Sequence, residues 1–306
     1  MHALSQSLSR EVIMPKFSIL VPVYNKLECL GRSFSSIVNQ TFDDYEVVVV
    51  DDHSTQPGVV EFLKEFAKYD EKIRVYRNRE NQGIGTTRNS LLKKATGDYL
   101  IFVDSDDYIE RDLLETVNEY VDDGVEVVRF QCVSEPATRR QLMIERQKNP
   151  YRFCCEPTDV ISGEEALSLW FSGVNKINML PWSYCVKKEL YEGLRFPDMR
   201  VLEDYPVMPA VVARADKVQA IDYVGYHYMQ YDKSLTKRPT RKSQINERQE
   251  KLEQLKIASR KAMRNLQRVG VSGVAIKGHG SELEGRILDK EEKIRALMEY
   301  ETMKMD

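Results

Sequence analysis

Three aspartates stand within four residues of one another, directly after an apolar run, and they are the strongest chemical signal in the chain. They are Asp104, Asp106 and Asp107, with Ser105 between the first two, and they follow the run YLIFV at 99–103. Carboxylates this close repel one another unless a cation or a network of turn hydrogen bonds accommodates them. Hard oxygen ligands suit Mg²⁺ or Mn²⁺, and such an ion binds the diphosphate of a substrate. The alternative is a solvated turn in which an aspartate caps the next helix.

Two further polar turns favour the interpretation as a binding site. Tyr24 and Asn25 follow the apolar run at 17–23, and Asp51 and Asp52 follow the valines at 47–50. In an open α/β sheet, ligands bind outside the carboxyl ends of the strands, so three such turns at one sheet edge form a candidate site. A carboxylate there would accept a hydrogen bond from a base or a ribose. An Asx turn that caps the next helix is an equal alternative.

The segment NQGIGTTRN at 81–89 joins a short strand to a helix. Its glycines, Gly83 and Gly85, allow close backbone approach, and Arg88 is placed to meet a phosphate. The segment lacks the third glycine of the dinucleotide-binding fingerprint. A purely structural loop at the entry to the helix is therefore an equally good interpretation.

The second half of the chain offers an acidic pair and a tryptophan. Glu203 and Asp204 precede the mostly apolar stretch 205–213. Such a pair most often marks the N-terminus of a helix, but a carboxylate beside a hydroxyl can also remove its proton. Trp182 has two interpretations as well, a core side chain or a platform for a sugar ring.

The elements that must position these side chains alternate in the first half. Apolar runs rich in β-branched residues predict buried strands, and helical spacing of apolar residues predicts helices between them. The strands are expected at 17–23, 46–50, 73–76 and 99–103, and the helices at 27–37, 59–68 and 86–95. This alternation predicts an α/β fold with a Rossmann-like, mostly parallel central sheet flanked by helices.

The pattern is less regular after about residue 123. Strands are expected at 125–132, 182–186, 217–221 and 225–229, and helices at 163–171 and 241–267. Residues 139–149 are polar and predict a helix or an exposed excursion, and the tail 281–306 ends in another predicted helix. Leu252, Leu255, Ala258, Ala262 and Leu266 share one helical face with basic side chains beside it. That face either packs on its own domain or a partner, or rests on an anionic membrane.

Composition excludes several classes of protein. The 306 residues include 45 basic and 48 acidic ones, a net charge of −3, which argues against a nucleic-acid binder. The 5 cysteines show no zinc spacing and are too few for a disulfide framework, so a reducing cytosol is expected. The polar N-terminus lacks the apolar core of a signal peptide. We therefore expect a soluble, cytoplasmic protein, or one at the inner face of a membrane.

Several motifs in this order resemble family 2 glycosyltransferases of the GT-A fold. In the first half they are PVYN at 22–25, DDHST at 51–55, N-x-G and RN within 81–89, and GDYLIFVDSDD at 97–107. In the second half, Pro181-Trp182, Glu203-Asp204 and SLT at 234–236 resemble the acceptor-binding part of the family. The resemblance covers about 16–237. His53 and Thr87 depart from the usual Gly and Ala of the family, and neither change removes a side chain with chemistry.

The resemblance implies inverting transfer of a sugar from a nucleotide diphosphate, most often a UDP-sugar, to a glycan or lipid-linked acceptor, as in surface polysaccharide synthesis. Asp52 corresponds to the carboxylate that binds uracil, and Tyr24 packs on the base with Pro22 in the same wall. Asp104 and Asp106 form the D-x-D motif for Mn²⁺ or Mg²⁺, with Asp106 in direct contact. The catalytic base comes from the pair Glu203-Asp204, and Asp204 is the expected base. The other expected substrate-binding residues are Asn25, Gly83, Arg88, Ser105 and Trp182.

The resemblance also implies an organisation in four parts. They are an N-terminal extension at 1–15, a nucleotide-sugar-binding half at 16–123, an acceptor-binding half at 124–240 and a helical C-terminal region at 241–306. Two other functions stay open: a catalytically silent module that binds a nucleotide or sugar, and a sugar nucleotidyltransferase. The latter needs a glycine-rich loop near its N-terminus, and residues 17–31 contain only Gly31. The donor sugar, the acceptor and the oligomeric state are left undetermined.

Overall fold

The computed structural model describes residues 14–136, 152–153, 156–172, 179–199, 201–231 and 241–271, together with 288 and 292. Within these residues a single mixed sheet of nine strands runs through the molecule, in the order β3-β2-β1-β4-β8-β6-β9-β5, with β7 paired to β6. Helices cover both faces of the sheet. The predicted α/β class, with a central sheet flanked by helices, is confirmed.

The first half is a regular alternation of strands and helices. Its elements are β1 (Phe17–Val23), α1 (Leu27–Val38), β2 (Tyr45–Asp51), α2 (Val59–Phe66), β3 (Ile73–Arg77), α3 (Gly83–Lys94) and β4 (Tyr99–Phe102). All pairings among these four strands are parallel. The strands predicted here are therefore confirmed. Their apolar runs fit this arrangement, because a strand can be apolar at every position only where helices cover both of its faces.

The second half is antiparallel where it joins the first. Its elements are β5 (Tyr108–Ile109), α4 (Leu113–Asp122), β6 (Val127–Pro136), β7 (Arg152–Phe153), α5 (Gly163–Ser172), β8 (Tyr184–Lys187), α6 (Met208–Ala213), β9 (Val218–Gln230) and α7 (Arg241–Arg268). Short 3₁₀ turns at Pro181–Ser183 and Lys188–Tyr191 flank β8. Strand β8 pairs antiparallel with β4 and β6, whereas β9 runs parallel to β6. The parallel character predicted for the sheet thus belongs mainly to its first half.

Two details of the predicted second half are wrong. The strands expected at 217–221 and 225–229 are one strand, β9, whose register against β6 shifts between Arg129 and Gln131. Asp222 lies between the two expected strands, and its carboxylate accepts a hydrogen bond of 2.5 Å from Gln131 within that irregularity. Trp182 lies in a 3₁₀ turn, so β8 begins two residues later than expected. The excursion expected at 139–149 and nearly all of the tail at 281–306 lie outside the described residues.

Alternation along the strands builds two apolar cores, one on each face of the sheet. Leu20 and Val48 face α3, α5, α6 and α7, which contribute Leu91, Leu167, Val211 and Leu266. Ile19 and Val47 face the opposite way, toward α1, α2 and α4, which contribute Leu30, Leu63 and Val117. The sheet is therefore held rigid from both sides, and the turns at its edge inherit that rigidity.

The long helix α7 packs on its own domain. The apolar face predicted for it is buried at Leu252, Leu255, Ala258, Ala262 and Leu266. This burial confirms the interpretation that the apolar face packs within the protein. Among the described residues, no helix combines the length and apolar character that crossing a bilayer requires.

A close approach between α3 and residues 196–197 fixes the second half against the first. A Cβ placed on Gly85 would lie 2.2 Å from the carbonyl oxygen of Pro197. One turn later, the Asn89 side chain donates to the carbonyl of Phe196 at 2.7 Å and accepts from its N–H at 2.9 Å. The expectation that the glycines permit close backbone approach is confirmed at Gly85.

We predict that Gly85→Ala lowers the free energy of unfolding by about 1–3 kcal/mol, because the added methyl group meets backbone that has no room to move. The matched control is Gly31→Ala in α1, where a Cβ would have no neighbour within 4 Å. The control should gain up to about 1 kcal/mol from helix propensity. Urea unfolding of both variants checks this, and a Gly85→Ala protein as stable as the parent would contradict the proposed contact.

Candidate active site

The turns after β1, β2 and β4 converge at one edge of the sheet, as the sequence predicts. Strand β1 lies between β2 and β4, and all three run in the same direction. Backbone hydrogen bonds continue the pairing into the turns, from the N–H of Asp52 to Val23 at 2.7 Å and from that of Val103 to Leu20 at 3.0 Å. The polar side chains that follow these strands therefore share one site.

The turn after β1 is held in an unusual backbone conformation. Asn25 and Lys26 both have left-handed φ angles, 58° and 61°. The Asn25 side-chain oxygen accepts hydrogen bonds from the N–H groups of Thr55 and Gln56 at 2.8 and 2.9 Å, which ties this turn to the one after β2. Asn25 thus shapes the site from within the protein. Tyr24 is 46% exposed, so its ring is open to a ligand, while Pro22 is buried in β1.

The two aspartates at the end of β2 have different partners. Asp51 accepts from the N–H of Ser54 at 2.9 Å and pairs with Arg77, so it forms the turn. Asp52 instead accepts from Asn78 at 2.7 Å and from the N–H groups of Gln82 and Gly83 at 2.9 and 2.8 Å. Asp52 therefore caps the entry to α3. Gly83 adopts a φ of 81°, which its lack of a side chain permits.

The third aspartate of the motif is a structural residue. The buried Asp107 carboxylate accepts from the Tyr226 hydroxyl and from the N–H of Met229, both at 2.7 Å. Burial and then the charges of Asp106 and Asp104 raise the pKa of Asp107 well above its usual value. These bonds attach the motif to β9, and Tyr226 also accepts from the N–H of Asp104 at 3.1 Å. Two partly exposed carboxylates remain for a ligand, those of Asp104 and Asp106, while Ser105 is buried between them.

Each of those two carboxylates faces one cation. The Lys26 ammonium forms an ion pair with Asp106, and the Arg88 guanidinium lies 3.4 Å from Asp104. The pKa of Asp104 is raised, because burial and the charges of Asp106 and Glu203 outweigh the effect of Arg88. The ammonium of Lys26 thus lies where the carboxylates need a cation, although no role was predicted for Lys26.

Arg88 joins the two halves of the site. Its guanidinium forms an ion pair with Glu203, 115 residues away in the chain, as well as with Asp104. Burial lowers the pKa of Arg88, but Glu203 and Asp104 more than restore it and hold the side chain charged. The side chain is 4% exposed, and the rings of Phe196 and Phe102 lie 5.7 and 5.9 Å from it. The predicted phosphate partner of Arg88 is therefore replaced here by two protein carboxylates.

Asp204 follows directly on this ion pair. Burial, and then the charge of Glu203, raise the pKa of Asp204 to about 7, while Arg88 acts in the opposite direction. Its backbone carbonyl accepts from Val207 and Met208, both at 3.0 Å, which places it just before α6. A carboxylate with a pKa near 7 is well suited to take up a proton at neutral pH.

Trp182 belongs to the core and not to an open platform. It is 4% exposed, and its ring stacks with Tyr226 at 4.6 Å and with Tyr228 at 5.7 Å between centroids. A sugar ring would have no free face of this size to pack on. The expectation that Trp182 forms a platform for a sugar ring is therefore wrong. Trp182 is a core side chain beside Tyr226, the residue that anchors Asp107.

The carboxylates fit a divalent cation that also binds a substrate. Asp104 and Asp106 offer hard oxygen ligands, and an ammonium already pairs with one of them. Within the described part of the chain, no three side chains of histidine, cysteine, aspartate or glutamate are close enough to form a complete metal site. A cation here would therefore take its further ligands from a diphosphate or from water, as Mg²⁺ commonly does.

Sequence reasoning missed Lys26, Tyr226 and Asn78. Lys26 directly follows Tyr24-Asn25, so its position in the motif was a signal. Tyr226 lies in a run of alternating residues that predicted a strand, but nothing in that run indicates which aspartate its hydroxyl would meet. Asn78 begins the loop that Asp52 caps, and only the folded loop brings the two together.

Comparisons with known proteins agree with this architecture. Residues 18–164 match the family model described as glycosyl transferase family 2. The uncharacterized glycosyltransferase EpsJ of Bacillus subtilis (strain 168) is 29% identical over 253 residues, which cover 80% of this chain and 70% of EpsJ. The poly(ribitol-phosphate) beta-glucosyltransferase of Bacillus spizizenii is 40% identical over 102 residues, 32% of this chain and only 16% of that enzyme.

Solved structures share the fold. S. aureus TarS 1-349 superposes with a TM-score of 0.66 at 20% identity, covering 89% of this chain and 71% of that one. The same TarS fragment in complex with UDP-GlcNAc gives a TM-score of 0.60 at 19% identity, with 92% and 83% covered. A mannosyltransferase from Pyrobaculum calidifontis in complex with GDP-Man and Mn²⁺ gives 0.51 at 18% identity, with 95% and 81% covered.

These findings decide among the functions that the sequence left open. The family match and the named relatives favour a transferase over a silent binding module or a nucleotidyltransferase. The shared fold supports the GT-A fold. Residues 18–164 form a glycosyl transferase family 2 domain, and the protein is a glycosyltransferase with the GT-A fold.

Proposed function

We propose that this glycosyltransferase is metal-dependent and inverting, and that it transfers a sugar from a UDP-sugar to a hydroxyl group of a glycan or lipid-linked acceptor in surface polysaccharide synthesis. The observation that carries the proposal is the Arg88 bridge. It holds Glu203, and with it Asp204, beside Asp104 of the D-x-D motif. A group that handles the acceptor and a group that handles the donor diphosphate thereby share one site.

The uridine part of the donor binds at the turns after β1 and β2. Tyr24 packs on the base, with Pro22 in the wall behind it, and the Asp52 carboxylate accepts a hydrogen bond from the imide of uracil. Asp52 already accepts three hydrogen bonds, and a carboxylate offers about four acceptor positions. Asn25 and Gly83 shape this pocket through the turns that they hold. The TarS complex with UDP-GlcNAc supports the choice of UDP.

Asp104 and Asp106 would hold Mn²⁺ or Mg²⁺, with Asp106 as the expected direct ligand, and Ser105 is buried between them. When bound, the cation supplies charge neutralisation for the departing diphosphate. With a cation bound, the Lys26 ammonium, which pairs with Asp106 in this structure, would be available to the diphosphate. Arg88 keeps Asp104 in position. The Mn²⁺ complex of a mannosyltransferase with the same fold supports this assignment.

Asp204 acts as the general base. Its carboxylate removes the proton of the acceptor hydroxyl as that oxygen attacks the anomeric carbon of the donor sugar. The bond from the anomeric carbon to the diphosphate breaks, UDP leaves, and attack from the opposite face inverts the configuration. A pKa of about 7 leaves Asp204 ready to accept a proton at neutral pH. Glu203 positions Asp204 through its ion pair with Arg88.

We predict that Asp106→Ala removes the metal-dependent part of UDP affinity. In the parent, UDP should bind more tightly with Mn²⁺ than with EDTA, because the cation joins the diphosphate to the carboxylates. Calorimetric titration of UDP under both conditions measures this. Asp43→Ala is the control, since Asp43 is exposed and lies before β2, at the opposite edge of the sheet. Equal UDP affinity of the parent with Mn²⁺ and with EDTA would rule out the metal role.

We predict that Asp52→Ala weakens UDP binding by about 10–100-fold. The reason is the loss of one charge-assisted hydrogen bond, which contributes about 1.5–3 kcal/mol. The preference for UDP over CDP should disappear, because cytosine has an acceptor where uracil has its imide N–H. Asp51→Ala serves as the control for damage to the turn and should weaken both nucleotides alike. If Asp52→Ala also weakens both equally, Asp52 only shapes the loop.

We predict that Asp204→Asn lowers the transfer rate by about 10²–10⁴-fold, because the amide keeps the shape but cannot accept the proton. UDP affinity with Mn²⁺ should stay within about threefold of the parent. In the parent, kcat/KM should fall as pH drops below about 7, since the protonated carboxyl group is not a base. Transfer assays over a pH series, with an acceptor that the parent uses, measure both effects.

Glu203→Gln separates positioning from proton transfer. It leaves the buried Arg88 with one charged partner, so the melting temperature should fall, whereas Asp204→Asn should leave it nearly unchanged. The pH dependence should persist in Glu203→Gln and vanish in Asp204→Asn. Transfer by Asp204→Asn at the parental rate would exclude Asp204 as the base.

A further inference from the structure

A basic cavity lies between helix α7 and the segment that leads to the proposed base. Its volume is about 610 Å³, and its charged lining residues are Arg195, Lys261, Arg264 and Arg268. The other four lining residues, among them Pro197 and Pro206, are uncharged. No carboxylate lines this cavity, which is unusual in a chain whose acidic residues outnumber its basic ones.

The four cations keep their charge available for a ligand. Arg195, Arg264 and Arg268 are exposed, and Lys261 is half-buried. Within the part of the chain that the structure describes, none of the four forms an ion pair with a carboxylate. Cations near the C-terminus of a helix are stabilised by its dipole, which accounts for Arg264 and Arg268. The helix dipole does not explain Arg195, which comes from a different segment and converges on the same cavity.

The cavity adjoins the proposed catalytic segment. The Asn265 side chain in α7 donates to the carbonyl of Pro206 at 2.7 Å, two residues after Asp204. Arg195 precedes Phe196, whose ring lies 5.7 Å from the Arg88 guanidinium. A ligand in the cavity would therefore lie close to the place where the acceptor hydroxyl meets its base.

We propose that this cavity binds phosphate groups of the acceptor, and that the acceptor is an anionic glycan with phosphodiester linkages. The proposal rests on the function proposed above and narrows its acceptor. Arginine guanidinium groups bind phosphate through paired hydrogen bonds, and three of the four cations are arginines. A membrane surface fits less well, because the cations line a concavity and the apolar face of α7 is already buried in the protein.

The test compares two charge reversals on the same helix. Arg264→Glu alters the cavity, whereas Arg260→Glu makes the same change at an exposed residue of α7 that does not line it. The probe is a fluorescent ribitol-phosphate octamer, titrated in EDTA so that the metal site does not contribute. Arg264→Glu should weaken binding at least tenfold, and Arg260→Glu should stay within threefold of the parent. Both variants should keep the parental melting temperature and the parental UDP affinity in Mn²⁺.

Three results would overturn the proposal. The first is an equal effect of both variants on the octamer. The second is equally tight binding of a polyglutamate of the same charge, which would remove the preference for phosphate. The third is loss of binding to phosphatidylglycerol vesicles by Arg264→Glu with octamer binding unchanged, which would assign the cavity to a membrane. A parent that binds the octamer but not UDP would instead refute the proposed donor and leave the cavity proposal standing.

Discussion

The buried guanidinium of Arg88 is the constraint on which the site depends. A charge placed in an apolar environment between Phe102 and Phe196 is costly unless carboxylates pair with it. Its two partners are Asp104, just after β4, and Glu203, in the second half of the chain. The need to pair one cation therefore sets the distance between parts of the chain that are more than 100 residues apart.

Helix α3, which carries Arg88, is fixed at its other contacts by hydrogen bonds and by close backbone packing. Asp52 caps its entry, Gly85 lets the backbone of Pro197 come close, and Asn89 bonds to the backbone of Phe196 in both directions. A helix held in this way has little freedom to tilt, so the direction of the Arg88 side chain is set before it meets its partners. The ion pair then requires little further ordering of side chains, which keeps its entropic cost low.

The sequence predicted the meeting of the turns after β1, β2 and β4 correctly because each of these turns is a local feature. Each strand is followed at once by its polar turn, and the order of parallel strands brings neighbouring turns together without any detailed packing. Tyr24, Asp52 and Asp104 could therefore be located from apolar runs and spacing. The surroundings of Trp182 and Arg88 were harder to predict, because burial between aromatic rings or between carboxylates depends on contacts across the sheet. Lys26 turns toward Asp106 because a left-handed backbone at two successive residues aims it there, and its place beside Tyr24-Asn25 does not reveal that direction.

The difference between the two halves has a physical origin. The first half is parallel and covered on both faces, so β1, β2 and β4 are mostly apolar and the turns after them carry clear signals. The second half contains antiparallel pairings, 3₁₀ turns and the segment before α6, where hydrophobic patterns are short and ambiguous. The family match likewise ends at residue 164, before Glu203 and Asp204. In the proposed function, the rigid sheet edge holds the diphosphate, and the segment before α6 lies beside the acceptor. Contacts of that segment with Arg88 and Asn89 in α3 and with Asn265 in α7 join it to the two helices.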